Sequence, residues 1–194
     1  MNERAKNALN TLLEGNRRFV NEKPKLFTYD MYARQLLAKE QKPIACVIAC
    51  SDSRVSPEII FDQPLGSLFV CRVPGNVASE SAKWCVEIAI LNFDVSLIAV
   101  VGHTDCLAVK SVLEGTYPST SGELSMNILP AVLRAKKETS DIFARAIKEN
   151  VLHTIEQLTA ECPPLHQRIT IGTATCIPML YDMESGIASV INST

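Results

Sequence analysis

Three short runs of almost continuous apolar residues constrain the fold of this chain more than any other feature. They cover 44–50, 67–73 and 95–102. Strands that are apolar on both faces are typical of a parallel sheet with helices on both sides. The stretch 79–93 has helical spacing, with Trp84, Ile88 and Leu91 on its apolar side. The alternation predicts an α/β fold with a mainly parallel central β-sheet flanked by helices.

The two ends of the chain add further helices and a hairpin to this sheet. Near the start, apolar residues recur at helical spacing, at Leu9, Leu12, Leu13 and Val20. With a second helix predicted over 29–39, residues 1–40 form an N-terminal helical arm. Helical spacing over 128–158, broken into two helices, precedes a late strand predicted over 169–176. A short strand over 186–191 then completes a C-terminal edge hairpin.

Composition narrows the class of protein. The chain has 194 residues, 47% of them hydrophobic, and we interpret 1–194 as a single domain. A net charge of −2 argues against a nucleic-acid partner, which would need clustered Lys and Arg. There is no apolar run of the roughly 20 residues that span a bilayer, and no secretory signal at the start. Seven scattered cysteines are typical of thiols in a reducing compartment, so we expect a cytoplasmic protein.

Reactive side chains follow two of the buried strands. Cys50 ends the first run, and His103 and Cys106 follow the third. Loops beyond the carboxyl ends of neighbouring strands converge in α/β sheets, so we expect these three residues to lie close together. Two thiolates and one imidazole are zinc ligands that leave a fourth position open for catalysis. The alternative is that both cysteines are buried thiols and His103 is a hydrogen-bonded core residue; convergence at two strand ends favours zinc.

Asp52 and Arg54 come two and four residues after Cys50 and can reach the same cavity. The Asp52 carboxylate can accept a hydrogen bond from bound water, or can itself be a fourth zinc ligand. The Arg54 guanidinium can hold that carboxylate away from the metal through paired hydrogen bonds. An ordinary surface salt bridge, worth about 0–1 kcal/mol, is the alternative. The nearness of both residues to the predicted metal site favours a functional role.

Together these motifs resemble the β-class carbonic anhydrases. The similarity extends from 50–54 and 102–106 to 13–19, 69–76 and 180–186, and so covers nearly the whole chain. It implies reversible hydration of carbon dioxide to bicarbonate and a proton by attack of zinc-bound hydroxide. It also implies that Cys50, His103 and Cys106 ligate Zn²⁺ and that Asp52 and Arg54 are the acid–base dyad.

The resemblance further implies two substrate-binding residues and an assembly. Gln41 would hydrogen-bond bicarbonate, and Phe69 would line the carbon dioxide pocket. Members of the family are built on dimers, often paired into tetramers, with N-terminal helices reaching over the partner. We therefore expect a homodimer or homotetramer, although the apolar face of the first helix would also suit packing within one chain.

Three positions depart from the usual pattern of the family: Leu107, Pro74 and Ile88. They would make the cavity more apolar, which leaves open the hydrolysis of carbonyl sulfide or carbon disulfide on the same scaffold. A zinc-binding or redox-sensing module without catalysis is a second alternative. The complete Asp52–Arg54 dyad argues against that module, because a sensor has no need of it.

Overall fold

The computed structural model describes residues 1–118, 122–137 and 141–192. Within those residues the strands form a single sheet in the order β2-β1-β3-β4-β5. They are β1 (Ala45–Ala49), β2 (Leu68–Arg72), β3 (Leu97–His103), β4 (Thr175–Tyr181) and β5 (Ala188–Val190). All neighbours pair in parallel except β4 and β5, which form the antiparallel hairpin at one edge. The predicted α/β fold, with its mainly parallel sheet and C-terminal edge hairpin, is confirmed.

Helices cover both faces of this sheet. They are α1 (Glu3–Val20), α2 (Met31–Leu37), α3 (Pro57–Ile60), α4 (Glu80–Phe93), α5 (Leu107–Glu114), α6 (Gly122–Ala135), α7 (Ile142–Glu161) and α8 (Pro163–Thr170). The helical stretch predicted over 128–158 is indeed two helices, and residues 138–140 between them lie outside the described part. No helix in the described part of the chain has the length and apolar character needed to cross a bilayer.

The two central strands carry the core. Every residue of β1 and β3 is buried, as their continuous apolar sequences predict. On one face, α1 and α3 pack against the sheet through side chains that include Leu12 and Ile60. On the other face, α4, α7 and α8 pack through side chains that include Val86 and Leu158. Because helices cover both faces, reactive side chains of the sheet can reach a ligand only at the ends of the strands.

The two helices of the N-terminal arm differ in how deeply they are buried in their own chain. Ala5 and Leu12 of α1 are fully buried against the sheet of the same chain. The buried side chain of Asn16 on α1 adds three hydrogen bonds: its Nδ2 donates to the carbonyls of Ile60 and Gly186, and its Oδ1 accepts from the Ala188 amide. In contrast, α2 has no buried residue.

Replacing Asn16 by Ala should destabilise the zinc-loaded protein by about 2–4 kcal/mol, because two carbonyls and one amide lose their partner in a buried site. The measurement is the denaturant midpoint at fixed protein concentration. The matched control is Asn10→Ala, since Asn10 is an exposed residue of the same helix. Equal midpoints for the two variants would show that Asn16 does not anchor α1 to β5.

The late strand predicted over 169–176 is wrong in its position. Residues 163–170 form α8, and the strand β4 starts only at Thr175. Pro163 and Pro164 start the helix, where proline loses no hydrogen bond. Gly172, with φ of 74°, lies in the turn that follows the helix. The predicted strand thus began within the last turn of α8 and included the turn that follows it.

The predicted apolar side of α4 also faces the wrong way. Trp84 and Leu91 are 68% and 67% exposed, and Ile88 is half-buried. The face that packs on the sheet instead carries the smaller side chains Ala82, Val86, Ala89 and Ile90. Because α4 is apolar on most of its surface, periodicity could not separate the inner face from the outer one. A stripe of large apolar residues, Trp84, Ile88 and Leu91, is therefore left without cover in the single chain.

Candidate metal centre

The three predicted metal ligands converge where β1 and β3 end. These strands are parallel neighbours, with Ala49 paired to Val101, so their carboxyl ends lie side by side. Cys50 directly follows β1, His103 is the last residue of β3, and Cys106 caps α5. One ligand atom from each residue lies within 4.8 Å of the other two, and all three residues are buried. Asp105, with φ of 55°, turns the chain between His103 and Cys106.

The unpaired atoms of this cluster fit a zinc ion. His103 Nδ1 lies 2.8 Å from the Thr104 carbonyl oxygen, which fixes the ring. Its other nitrogen, Nε2, is buried and has no hydrogen-bond partner among the described residues. The sulfurs of Cys50 and Cys106 are 3.9 Å apart. A buried nitrogen without a partner beside two sulfurs is a three-ligand donor set that suits a zinc ion with its fourth position open.

The electrostatics of the cysteine pair favour a thiolate. The hydrogen bond between the two sulfurs, either of which can donate, lowers the pKa of Cys50 against the opposing effect of burial. The same hydrogen bond raises the pKa of Cys106. Loss of one proton from the pair is therefore favoured. A divalent cation would favour loss of the second proton, because it supplies the positive charge that the buried cluster lacks.

Backbone groups around Cys50 are held by Gly75 and Arg72, for which the sequence predicted no contact with Cys50. The Gly75 amide donates to the Cys50 sulfur at 3.4 Å. Arg72 Nε donates to the Cys50 carbonyl at 2.9 Å, and its Nη2 donates to the Asp52 carbonyl. Arg72 ends β2 and pairs with Ala49 at the end of β1. The rule that strand ends converge could have identified Arg72, since it lies at the end of a neighbouring strand.

The Asp52 carboxylate and the Arg54 guanidinium form a two-pronged ion pair beside Cys50. Arg54 Nε lies 2.9 Å from Asp52 Oδ1, and Nη2 lies 2.7 Å from Oδ2. The Arg54 amide also donates to Oδ1, at 3.0 Å. These bonds hold the pKa of Asp52 well below its usual range, with the Arg54 side chain as the largest cause. Asp52 therefore stays ionised at neutral pH, and both of its oxygens are engaged by Arg54.

A cavity of about 360 Å³ opens beside the cluster. Cys50 and Asp52 form its polar wall, and Pro74 and Leu107 are part of an otherwise mainly apolar lining. Leu107 is 70% exposed and so presents its side chain to this space. Ile88, the third position that departs from the family pattern, does not line this cavity. The structure thus brings two of the three departures next to the metal ligands.

Gln41 and Phe69 lie at the opposite end of the sheet within the same chain. Phe69 pairs with Cys46, four residues or about 13 Å along the strand from Cys50. Its ring packs against Phe93, with ring centroids 5.3 Å apart. Gln41 precedes β1 and lines a groove of about 810 Å³ that also includes Phe93. Within a single chain, these two residues are therefore too far from the predicted metal ligands to act at the same site.

Comparison with known proteins identifies the family. The carbonic anhydrase family matches residues 45–188. Carbonic anhydrase 2 of Mycobacterium tuberculosis is 33% identical over 186 residues, which cover 93% of this chain and 90% of the relative. The β-carbonic anhydrase CcaA is 26% identical and superposes with a TM-score of 0.73 over 95% of each chain. A tetrameric β-carbonic anhydrase from Sordaria macrospora, 21% identical, shares the fold with a TM-score of 0.75 over 96% of this chain and 98% of its own. The chain therefore belongs to the carbonic anhydrase family, as a zinc-dependent enzyme of the β class that hydrates carbon dioxide.

Proposed function

We propose that carbon dioxide is hydrated in the cavity beside Cys50, with Cys50, His103 and Cys106 as the zinc ligands. The observation that carries this proposal is the buried Nε2 of His103, which has no hydrogen-bond partner among the described residues and lies beside two sulfurs. Zinc bound there would acidify a water molecule and so supply the nucleophile. The apolar lining of the cavity suits a small substrate without charge.

In this proposal Asp52 orients the nucleophile and Arg54 holds Asp52 in place. Asp52 lines the cavity, and its ionised carboxylate can accept a hydrogen bond from the attacking oxygen. Arg54 engages both carboxylate oxygens and so keeps Asp52 from turning to the metal as a fourth ligand. The Asp52 carboxylate thus has two possible positions, paired with Arg54 or bound to the metal. While it is paired with Arg54, the fourth position on the metal stays open.

The test is a stopped-flow assay of carbon dioxide hydration on protein with measured zinc content. We expect about one zinc per chain and a hydration rate that scales with zinc occupancy. Zinc-loaded protein that hydrates carbon dioxide no faster than buffer does would refute the proposed function. Removal of the zinc with a chelator, followed by its return, controls for inactive protein.

Gln41 and Phe69 complete the site from a second copy of the chain, so the active form is a homodimer or a homotetramer built from dimers. Three observations support this assembly. Both residues lie far from the metal ligands of their own chain. Trp84 and Leu91 of the outward stripe are exposed on the helix that ends at Phe93, beside Gln41. The related fold from Sordaria macrospora is tetrameric.

Complementation of two inactive variants tests whether the partner supplies Gln41. Gln41→Ala keeps its own metal ligands, whereas Cys50→Ala keeps its own Gln41. In a mixed dimer, one site would combine intact ligands from the first chain with Gln41 from the second. We therefore expect the co-expressed variants to regain activity that neither has alone. Purified mixed dimers without recovered activity would show that Gln41 does not act across an interface.

Hydrolysis of carbonyl sulfide or carbon disulfide is a second candidate, favoured by one observation. Leu107 and Pro74 make the cavity wall apolar next to the ligand Cys106. Linear, weakly polar substrates would suit such a wall better than a polar one. The same nucleophile and the same dyad would serve both reactions, so the cavity wall decides between them.

Replacing Leu107 by Gly should raise carbon dioxide hydration relative to carbonyl sulfide hydrolysis by about 10-fold or more, since one branched side chain in a small pocket shifts binding by about 1–3 kcal/mol. Both substrates are assayed on both proteins at matched zinc content. Leu133→Gly is the control, because Leu133 is exposed on α6 and does not line the cavity. If the wild type hydrolyses carbonyl sulfide well and barely hydrates carbon dioxide, the second candidate replaces the first.

The cytoplasm is the compartment we propose. All seven cysteines are free thiols. Several lie in the core, where Cys46 and Cys162 are fully buried. Thiols at metal-binding positions persist in a reducing environment, where they are not consumed by disulfide formation.

A further inference from the structure

We propose that Asn150 is a positioning residue of the metal centre: its side-chain amide holds the Gly75 carbonyl so that the Gly75 N–H points at the Cys50 sulfur. Asn150 lies on α7 and forms no hydrogen bond with any of the three ligands. It acts through Gly75, whose N–H and carbonyl belong to the two successive peptide groups on either side of its Cα, in the turn that follows β2. This inference rests on the zinc site described above.

The Asn150 side chain is buried and donates one hydrogen bond, to the Gly75 carbonyl. Asn150 is 1% exposed, and its Nδ2 donates to the Gly75 oxygen at 2.6 Å. Since that oxygen only accepts, the nitrogen of the amide must be the atom that faces it. The Oδ1 atom of Asn150 is buried without a partner in the described residues. Burial of a polar side chain lowers the stability of the fold unless its hydrogen bonds compensate, and here one hydrogen bond must do so.

Gly75 cannot be replaced by another residue without strain. Gly75 has φ of 67° and ψ of 17°, in the left-handed region. A Cβ at this position would lie 2.9 Å from Ile128 Cδ1 and 3.3 Å from Ala108 Cβ. The residue therefore uses its amide for Cys50, at 3.4 Å, and its carbonyl for Asn150. Loss of the carbonyl contact would release the turn that aims the amide.

A hydrogen bond to a thiolate ligand changes how the sulfur binds metal. The N–H group withdraws negative charge from the sulfur and stabilises the thiolate over the thiol. Groups that orient and hydrogen-bond metal ligands typically contribute 10- to 100-fold in metal affinity or activity. A site with two thiolates puts much negative charge on the metal, so the Gly75 amide would preserve part of the cation's strength as a Lewis acid. Asn150 thereby influences the metal from a position beyond its ligands.

The first test compares Asn150→Leu, a variant of similar shape, with Thr154→Val. Thr154 is also buried on α7, one turn further along, and makes no recorded contact with Gly75. Competition with a chromophoric chelator should show roughly 10- to 100-fold weaker zinc binding for Asn150→Leu only. In cobalt-substituted protein, the sulfur-to-metal charge-transfer band should move to longer wavelength, because a sulfur without the N–H bond gives up an electron more easily. A folded Asn150→Leu protein with wild-type affinity and spectrum would overturn the proposal.

The second test needs only the wild type and so does not depend on whether the variant folds. The chain contains eight glycines, so protein labelled with ¹⁵N at glycine gives a simple amide spectrum. In deuterated protein loaded with ¹¹³Cd, the Gly75 amide proton should couple to the metal through the sulfur. No coupling at Gly75 in cadmium-loaded protein would overturn the proposal. Failure of the wild type to bind any metal would instead refute the zinc site itself, so the two failures are distinguishable.

Discussion

Alanine in place of Cys50, His103 or Cys106 should remove both zinc and carbon dioxide hydration in each single variant. Each change leaves two protein ligands where a catalytic zinc site needs three. Loss of His103 should be as severe as loss of either cysteine, because its Nε2 is the atom without another partner. Zinc is measured by metal analysis, and hydration by stopped flow on the same samples.

Two variants of the same residue types serve as controls for this experiment. Cys176 is a half-buried thiol of β4, and His166 is exposed on α8. Cys176→Ala and His166→Ala should retain about one zinc per chain and the activity of the wild type. Full zinc occupancy in all three ligand variants would show that the metal binds elsewhere.

Replacing Arg54 by Ala should lower turnover by up to about 100-fold without loss of zinc, because misplacement of a catalytic group by about 1 Å can cost that much. The variant frees both Asp52 oxygens, and the carboxylate can then occupy the fourth position on the metal. Arg54→Lys is the matched variant: it keeps the charge but loses the fork that engages two oxygens. We expect its turnover to lie between the wild type and Arg54→Ala. A crystal structure of Arg54→Ala with water on zinc and near wild-type activity would contradict this role.

The pH profile separates the nucleophile from the dyad. The folded pKa of Asp52 is lowered, so the ion pair with Arg54 stabilises the protein at any pH above the ordinary carboxyl value. That stabilisation is lost only as pH falls through the lowered pKa of Asp52, in strongly acidic solution. Asp52 therefore adds no step to the profile between mildly acidic and alkaline pH. Activity should rise over that range, because the reaction needs hydroxide, and a flat profile would count against the mechanism.

The clustering of Cys50, His103 and Cys106 was predictable from the sequence because each of these residues lies next to a strand end. Strands β1 and β3 are apolar throughout, so their ends could be located, and parallel neighbours place their ends together. Asp52 and Arg54 follow from the same logic, being two and four residues beyond Cys50. Asn150 could not be found this way. It lies 100 residues from Cys50 along the chain, and nothing in the spacing of α7 distinguishes it from other polar residues.

The outer surface was harder to predict, for a physical reason. Periodicity reports which residues are apolar, but not which of two apolar faces meets the sheet. On α4 the smaller residues pack inward, and the stripe with Trp84 faces out. The position of Gln41 and Phe69 relative to the metal is likewise a property of the folded sheet. In the proposed assembly both cases concern surfaces that a second chain covers, and no periodicity within one sequence identifies such a surface.

The exposed position of Trp84 gives the protein an intrinsic optical reporter. It is the only tryptophan in the chain, so fluorescence excited selectively at tryptophan comes from a single indole. In the single chain that indole is 68% exposed and therefore emits as a hydrated ring. Contact with a second subunit would remove water from it and move the emission to shorter wavelength, while the core stays unchanged. If the proposed assembly covers Trp84, the emission maximum during dilution would follow subunit dissociation without an added dye.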